Sequence, residues 1–268
     1  MQRTSPIIVR RLLVGAIVGS ALLTSATAGF AQNGAPVKNE YRGTLVTSIP
    51  ITRKLILFQY LGIVTNPAKH VITYYYSPPG VIYKPKPWIE LWAGMFGLYN
   101  NNAAKENSWE LRPLAGVKFY VPNDRKLTIF SFTRYEYRSI HRSESGTKES
   151  IPRVRTRLGI EAPLVPKERA WTPKTPYVLA DVEPIWRLDD GYMETLRLRA
   201  GIGYVFNPTW RAELIYHTQW TATKDATLSY TDNIWRLNFK LTLPTLRKKA
   251  NEPPSQDDDP SQFVDIDE

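Results

Sequence analysis

From Leu196 to Phe206 every second residue is apolar: Leu196, Leu198, Ala200, Ile202, Tyr204 and Phe206. Thr195, Arg197, Arg199, Gly201, Gly203 and Val205 fill the positions between them. A strand turns successive side chains to opposite faces, so this stretch predicts one apolar face and one carrying two arginines and two glycines. The pattern recurs along the chain. Trp109, Leu111, Ala115, Val117 and Phe119 alternate with Glu110, Arg112, Gly116, Lys118 and Tyr120, with Pro113 as an interruption. In 127–140, Arg134, Glu136 and Arg138 oppose Thr133, Tyr135 and Tyr137, although Phe130 and Phe132 fall on the charged side.

Further along, Arg153, Arg155 and Arg157 alternate with Val154, Thr156 and Leu158. Asp181 and Glu183 oppose Val178, Ala180, Val182 and Trp186. Arg211, Glu213, His217 and Gln219 oppose Trp210, Ala212, Leu214, Tyr216 and Trp220. In the last strand Arg236, Asn238 and Lys240 face away from Trp235, Leu237, Phe239 and Leu241. Residues 54–65, 71–84 and 88–99 also read as strands, and 42–49 as a short one. The second of these is broken at Ser77-Pro78-Pro79-Gly80, where two prolines cannot donate to a ladder.

Segments of about ten alternating residues separated by turn residues are the signature of a transmembrane barrel. The expected fold is therefore all-β, a single antiparallel transmembrane β-barrel of about 10–12 strands. Single-chain bacterial barrels have an even strand number, whereas eleven candidates are legible. Either 42–49 does not span, leaving ten, or a further strand makes twelve. Connections 100–107, 141–151, 189–193 and 221–232 are expected to be the longer outward loops. Connections 85–87, 122–126 and 207–209 are expected to be short turns, and 165–176 breaks the alternation.

The N-terminus changes the picture. Arg3, Arg10 and Arg11 lead into the apolar run Leu12–Leu23 and then a small-residue stretch. That order predicts a cleaved signal peptide over residues 1–31. Twelve apolar residues are too few for a comfortable spanning helix, and no later stretch comes closer. The chain has no cysteine, hence no disulfide, thiolate chemistry or lipoprotein attachment site. The expected location is the outer membrane of a Gram-negative bacterium, with residues 32–243 forming the barrel. Residues 244–268 are expected to be an acidic, proline-rich, disordered periplasmic tail.

The net charge of +10 is unevenly spread. The tail has seven acids against three bases, and with the three signal arginines also set aside, residues 32–243 carry +11. A nucleic-acid partner requires a clustered basic surface, whereas these cations alternate with apolar residues along strands. The expected partners are outer-membrane lipid and lipopolysaccharide, the barrel-assembly machinery and a small anionic solute, with no nucleic acid.

The charged face is expected to line the lumen: Glu110, Arg112, Arg134, Glu136, Arg138, Arg153, Arg155, Arg157, Asp181, Glu183, Arg197, Arg199, Arg211, Glu213, His217 and Arg236. Keeping charged faces aligned across the turns sets Arg112 near Glu136 and Glu110 near Arg138. It also sets Glu136 near Arg155, Arg138 near Arg153, Glu183 near Arg197 and Asp181 near Arg199. Glu213 then lies opposite Gly203, and His217 opposite Arg199. Such pairs plug a narrow barrel, since unpaired buried charge is expensive. The arginine excess alternatively lines a narrow anion-preferring pore, as rings of Arg can. The plug is the preferred reading, because interiors of small barrels are filled by side chains.

Trp88, Trp109, Trp186, Trp210, Trp220 and Trp235 fall near strand ends, as interfacial girdles require. Gly201 and Gly203 are read as relieving crowding where the barrel bends. Catalytic signals are weak. His70, His141 and His217 are scattered, no H-E-x-x-H or G-x-S-x-G occurs, and no metal-ligand spacing or phosphate loop stands out. No cofactor, metal or catalytic residue is expected. The rival reading is an outer-membrane enzyme modifying lipid or lipopolysaccharide, which needs His217 or His141 beside a nucleophile, with Glu213 orienting His217. A third is a soluble periplasmic β-protein.

From about Trp88 to Leu243 the chain resembles a bacterial envelope family, domain of unknown function 2490. The resemblance rests on WELRP at 109–113, TRYEYR at 133–138, RVRTRLGIEAPL at 153–164, DVEPIW at 181–186, LRLRAGIGYVF at 196–206 and WRAELIY at 210–216. It implies an outer-membrane barrel with an Arg/Glu-rich interior, and it supplies no activity and no catalytic residues. Outer-membrane barrels often end on an aromatic residue read by the assembly machinery, whereas this chain runs 25 residues beyond Leu243 to Glu268.

Overall fold

The computed structural model describes residues 37–245 apart from 104, 225 and 226. The signal segment 1–31, and the tail beyond 245, lie outside the described residues. The strands are β1 (Lys38–Pro50), β2 (Leu55–Asn66), β3 (Val71–Tyr76), β4 (Gly80–Lys86), β5 (Ile89–Asn102) and β6 (Ser108–Tyr120). They continue with β7 (Thr128–Arg142), β8 (Lys148–Pro163), β9 (Thr175–Arg187), β10 (Tyr192–Val205), β11 (Trp210–Thr221) and β12 (Ser229–Thr242). Among the described residues no helix is long and apolar enough to cross a membrane.

The strands form one closed sheet. From β5 to β12 each pairs antiparallel with the next, and β1 pairs with both β2 and β12. β3 and β4 both lie between β2 and β5, so they are two halves of one strand position, and the barrel has eleven positions. The break between them is the Ser77-Pro78-Pro79 segment. There the Ser77 amide donates to the Tyr60 carbonyl and the Ser77 hydroxyl accepts from the Tyr60 amide at 2.7 Å, which keeps the edge of β2 satisfied across the gap.

Eleven corrects the expectation of an even number. Residues 42–49 belong to a full-length strand, and among the described residues no twelfth position enters the ring. With an odd count the first and last strands run the same way, so β1 closes on β12 in parallel, from Lys38 opposite Asp232 to Ser48 opposite Thr242. All other pairings are antiparallel, and the seam is the exception to the expected wholly antiparallel wall. Lys38 therefore lies at the end of the barrel that carries the β11–β12 loop, and Thr242 at the opposite end.

Loop lengths also differ from expectation. The connections read as 100–107, 141–151, 189–193 and 221–232 do share one end, but the strands run further into them than alternation suggested. β7 and β8 leave only residues 143–147 between them. The longest connection, 164–174, is at the opposite end, beside the turns at 51–54, 87–88, 121–127 and 206–209.

Which side chains point inward follows from burial alternating residue by residue. On β10, Thr195, Arg199, Gly203 and Val205 are buried while Leu198, Ile202 and Tyr204 are exposed. The outward face carries no charged side chain from Trp109 to Phe119 on β6, Leu196 to Tyr204 on β10 and Trp210 to Trp220 on β11. Large apolar residues cover it: Leu111, Leu158, Ile202, Leu214, Leu237 and Phe239 are all exposed. From Trp109 to Phe119, at about 3.3 Å per residue and a tilt of about 40°, this band is about 25 Å tall. Aromatic residues mark its two edges. Trp88 stacks on Phe119 at one edge with ring centroids 6.4 Å apart, and Trp109 packs on His141 at the other, 5.2 Å apart.

The interior has two halves. Under β2, β4, β5 and the start of β7 it is mainly apolar: Ile56, Phe58, Tyr60, Ile82, Trp92, Phe96, Leu114, Phe130 and Phe132 form one buried cluster, beside a buried Lys84–Glu90 pair at 2.8 Å. Phe58 meets Trp92 at 5.2 Å and Trp92 meets Phe132 at 5.1 Å. Phe130 and Phe132 thus face inward as their parity required, and the supposed irregularity of β7 is the border of this cluster. The wall makes room for the rings. A Cβ on Gly80 would lie 2.3 Å from Phe58, and one on Gly203 would lie 2.2 Å from Tyr177. Gly203 accommodates a ring lying flat on the wall, where the sequence suggested only a bend.

Candidate functional site

The other half of the interior, under β6–β12, is a lattice of charge. Three carboxylates organise it. Glu136 accepts from Arg134 Nε at 2.7 Å, Arg153 Nη2 at 2.6 Å and Arg155 Nη1 at 3.1 Å, drawing together three arginines from β7 and β8. Arg134 and Arg155 are directly opposite across the β7–β8 ladder. Two guanidinium groups so placed would repel, and the shared Glu136 Oε1 offsets that repulsion. Glu183 accepts both 2.8 Å bonds of Arg155 Nη2 and a 3.2 Å bond from its Nε, with Arg197 Nη1 at 3.4 Å. Glu110 takes Arg112 Nε at 2.8 Å and a two-pronged grip from Arg138 at 2.7 and 2.8 Å.

Arg155 is the link between these groups. Its guanidinium reaches Glu136 on one side and Glu183 on the other, so the adjacent strands β7, β8 and β9 are joined along the inner wall by one side chain. Forked arginine–carboxylate contacts of this kind are the strong, directional ones. Asp181 extends the row by accepting from Arg199 Nε at 2.5 Å.

Near the 164–174 connection lies a second cluster. Glu213 accepts from Tyr177 Oη at 2.6 Å, Lys240 Nζ at 2.7 Å and Asn238 Nδ2 at 3.2 Å. Trp171 covers it from the loop, fully buried, with its ring 5.2 Å from Tyr177 and the Arg211 guanidinium 5.0 Å above it. Its indole Nε1 donates to the Lys126 carbonyl at 2.7 Å, fastening this loop to the neighbouring 121–127 connection. Trp171 and Lys174 both sit at positive φ, 63° and 66°, a conformation costing about 1–3 kcal/mol each outside glycine. The buried ring, its hydrogen bond and the Arg211 contact offset that strain. A cavity of about 10 Å³, room for about one water molecule, lies between Phe130, Glu161, Leu179, Asp181, Glu213 and Ile215.

Where the charged and apolar halves meet, cations lie on rings. Lys118 Nζ is 4.3 Å from the Phe130 centroid, and the Arg157 guanidinium is 5.6 Å from it. Such contacts let a charge border an apolar cluster with less loss than bare burial.

Every residue expected on the inner face has inward parity, and most are buried; Arg138, Asp181 and Arg197 are half-buried. The expected contacts divide by region. Glu183 is opposite Arg197, Asp181 opposite Arg199, Gly203 opposite Glu213, and Arg199 opposite His217, as read from the sequence. Around β7 the register differs by two residues. Leu114, not Arg112, faces Glu136, and Arg153, not Arg155, is directly across from Glu136. Long side chains still make the Glu110–Arg138 and Glu136–Arg155 contacts on the diagonal. Arg112 instead pairs with Glu110 two residues away on its own strand, and Arg138 faces Ile151 in place of Arg153.

The histidines are apart. His217 is fully buried in the lumen, while His141 lies on the outer face against Trp109. Glu213, the expected orienter of His217, is occupied by Tyr177, Lys240 and Asn238. Lys118, Glu161, Asn238 and Lys240 are further buried polar residues of the interior beyond those expected, and Tyr177 and Trp171 join them. Tyr177 has inward parity on β9 and was legible, whereas Trp171 is in a loop, where parity says nothing.

A closed barrel with an apolar outside and an Arg/Glu lattice inside defines the class of protein. The chain belongs to the family described as protein of unknown function (DUF2490), whose model matches residues 47–229. No curated protein matches the chain.

Proposed function

We propose that the protein is an outer-membrane β-barrel whose lumen is closed by its own side chains, a wall-spanning element without an open pore. One observation carries this reading. Arg134, Arg155, Arg157, Arg211 and Arg236 point into the barrel yet are each at most 2% exposed. Water in a continuous channel would wet them. The charge-free outer band and its aromatic edges support a lipid surrounding, with membrane lipid and lipopolysaccharide as the molecules against the wall.

Fluorescence in vesicles tests the location. Lipids brominated at successive acyl depths should quench the exposed tryptophans, most strongly near the headgroups, where Trp88, Trp109 and Trp210 are expected. Extraction without detergent and tryptophans insensitive to every brominated lipid would sink the proposal.

The second reading, a narrow anion-preferring passage, draws on the excess of interior arginine over carboxylate. It requires the buried interior arginines to become wetted along a continuous path before solute can pass.

A further inference from the structure

The two ends of the barrel differ in charge. At the end carrying the 103–107, 143–147 and 188–191 connections, acids and bases are intermixed, and several are paired. Arg142 lies 4.0 Å from Glu106 and 3.8 Å from Glu149, Arg187 binds Asp189 at 2.6 Å, and Lys224 binds Asp190 at 3.1 Å. The other end is basic. Arg125, Lys126, Lys167, Arg169 and Lys174 are exposed on its two longest connections, where the only acids are Asp124 and Glu168. Arg53, Lys54 and Lys86, on the adjoining turns, are also exposed. The rim thus holds eight cations against two acids.

β12 delivers the C-terminal segment to this same end. The Leu243 amide donates to the Ser48 carbonyl, fixing the exit point beside the 51–54 turn. Residues 252–268 contain seven acids, Glu252, Asp257, Asp258, Asp259, Asp265, Asp267 and Glu268, and no lysine or arginine. We infer that this acidic segment docks on the basic rim of its own barrel, with the Asp257–Asp259 run on the Lys167/Arg169/Lys174 and Arg125/Lys126 loops.

Distance permits it. Eleven strands about 4.8 Å apart and tilted by about 40° enclose a barrel about 22 Å across. Asp258 is thirteen residues beyond Thr245. A chain of that length has a typical span of about 20 Å and an extended reach of about 45 Å. Tethering holds the segment at millimolar effective concentration, so individually weak pairs suffice to occupy the rim. The same pairs are screened by salt, because both partners are exposed. The inference does not depend on the barrel's location in a membrane.

Pulsed electron–electron resonance on the full chain tests it, and the absence of cysteine makes site-specific spin labels simple to place. Gln256→Cys is paired with Pro122→Cys on the basic rim, and with Thr147→Cys at the opposite end. At about 20 mM salt the first pair should give a short, narrow distance distribution. It should broaden at about 0.5 M salt, where the Debye length falls to a few ångströms, and in Asp257→Asn/Asp258→Asn/Asp259→Asn at low salt. A broad distribution that neither salt nor the triple substitution changes would overturn the inference. So would narrowing that appears only when vesicles of anionic lipid are added, since the rim would then serve lipid and not the tail.

Discussion

Arg155 on β8 and Glu183 on β9, 28 residues apart in the chain, are joined by three hydrogen bonds of 2.8, 2.8 and 3.2 Å inside the barrel, with neither side chain more than 2% exposed. Because Arg155 also holds Glu136, removing Glu183 leaves a guanidinium half-served and out of reach of water. Glu183→Ala should therefore cost about 3–5 kcal/mol, the usual penalty for orphaning one partner of a buried pair. The double variant Arg155→Met/Glu183→Leu should cost clearly less than Glu183→Ala, since no buried charge of the pair is then stranded. Urea unfolding of the detergent-folded protein, followed by tryptophan fluorescence, checks both. A double variant less stable than Glu183→Ala would contradict this account of the pair.

Gly203 has no tolerance for a side chain. A Cβ there would meet the Tyr177 ring at 2.2 Å, and that ring is fixed by its hydroxyl bond to Glu213 and by Trp171. Gly203→Ala should destabilise by about 1–3 kcal/mol through overpacking. Combined with Tyr177→Ala the two losses should not add, because the clash disappears with the ring. Additive losses in the same unfolding assay would show that the ring is not what the glycine accommodates.

Trp171 fastens the 164–174 connection. Trp171→Ala removes the bond to the Lys126 carbonyl and the contacts to Tyr177 and Arg211, while leaving the positive φ in place. A loss of about 3 kcal/mol is expected, by analogy with other buried Trp→Ala changes. Trypsin should then cut faster at Lys167 and Arg169. Unchanged cleavage rates would mean that the loop is held by its backbone alone.

One contact between loops is set by pH. Glu106 accepts from the amides of Ser145 and Glu144, at 2.8 and 3.1 Å, and from the Ser145 hydroxyl at 3.0 Å. The Ser145 amide leads the effects that hold this carboxyl below its ordinary value of 4.5. A lowered folded pKa means that the contribution is complete above the ordinary carboxylate range and is lost as pH falls through the lowered value. Protection of the Ser145 amide from hydrogen exchange should be flat from neutrality to about pH 5 and decline only in stronger acid. Glu106→Gln should show the acid behaviour at neutral pH. A decline already under way at pH 6 would assign the effect to another group.

How much of this was legible in the sequence depends on what fixed each feature. Parity identified the inner face of β10 without error, because Arg197, Arg199 and the glycines leave the alternation unambiguous. The register of β9, β10 and β11 was also legible, since the short turns at 188–191 and 206–209 allow little freedom. Around β7 the register was misjudged by two on both sides because neither turn is centred where aligning the charges placed it: the ladders close at Tyr120–Phe130 and at His141–Lys148. The expectation of a uniformly polar lumen made Phe130 and Phe132 look like errors, when Phe58, Trp92 and Phe96 supply their partners from distant strands. The parallel β1–β12 seam could not be read locally at all. It follows from the odd number of positions, which in turn follows from β3 and β4 sharing one.

The central claim, a lipid-facing barrel closed by its own ion pairs, is tested most directly by planar-bilayer conductance of the folded protein, with insertion verified in the same preparation by protease protection of the loops. The account predicts a silent membrane at moderate voltage in symmetrical salt. Discrete, reproducible conductance steps with anion preference, diminished by Arg155→Ala, would contradict it and establish an open arginine-lined pore.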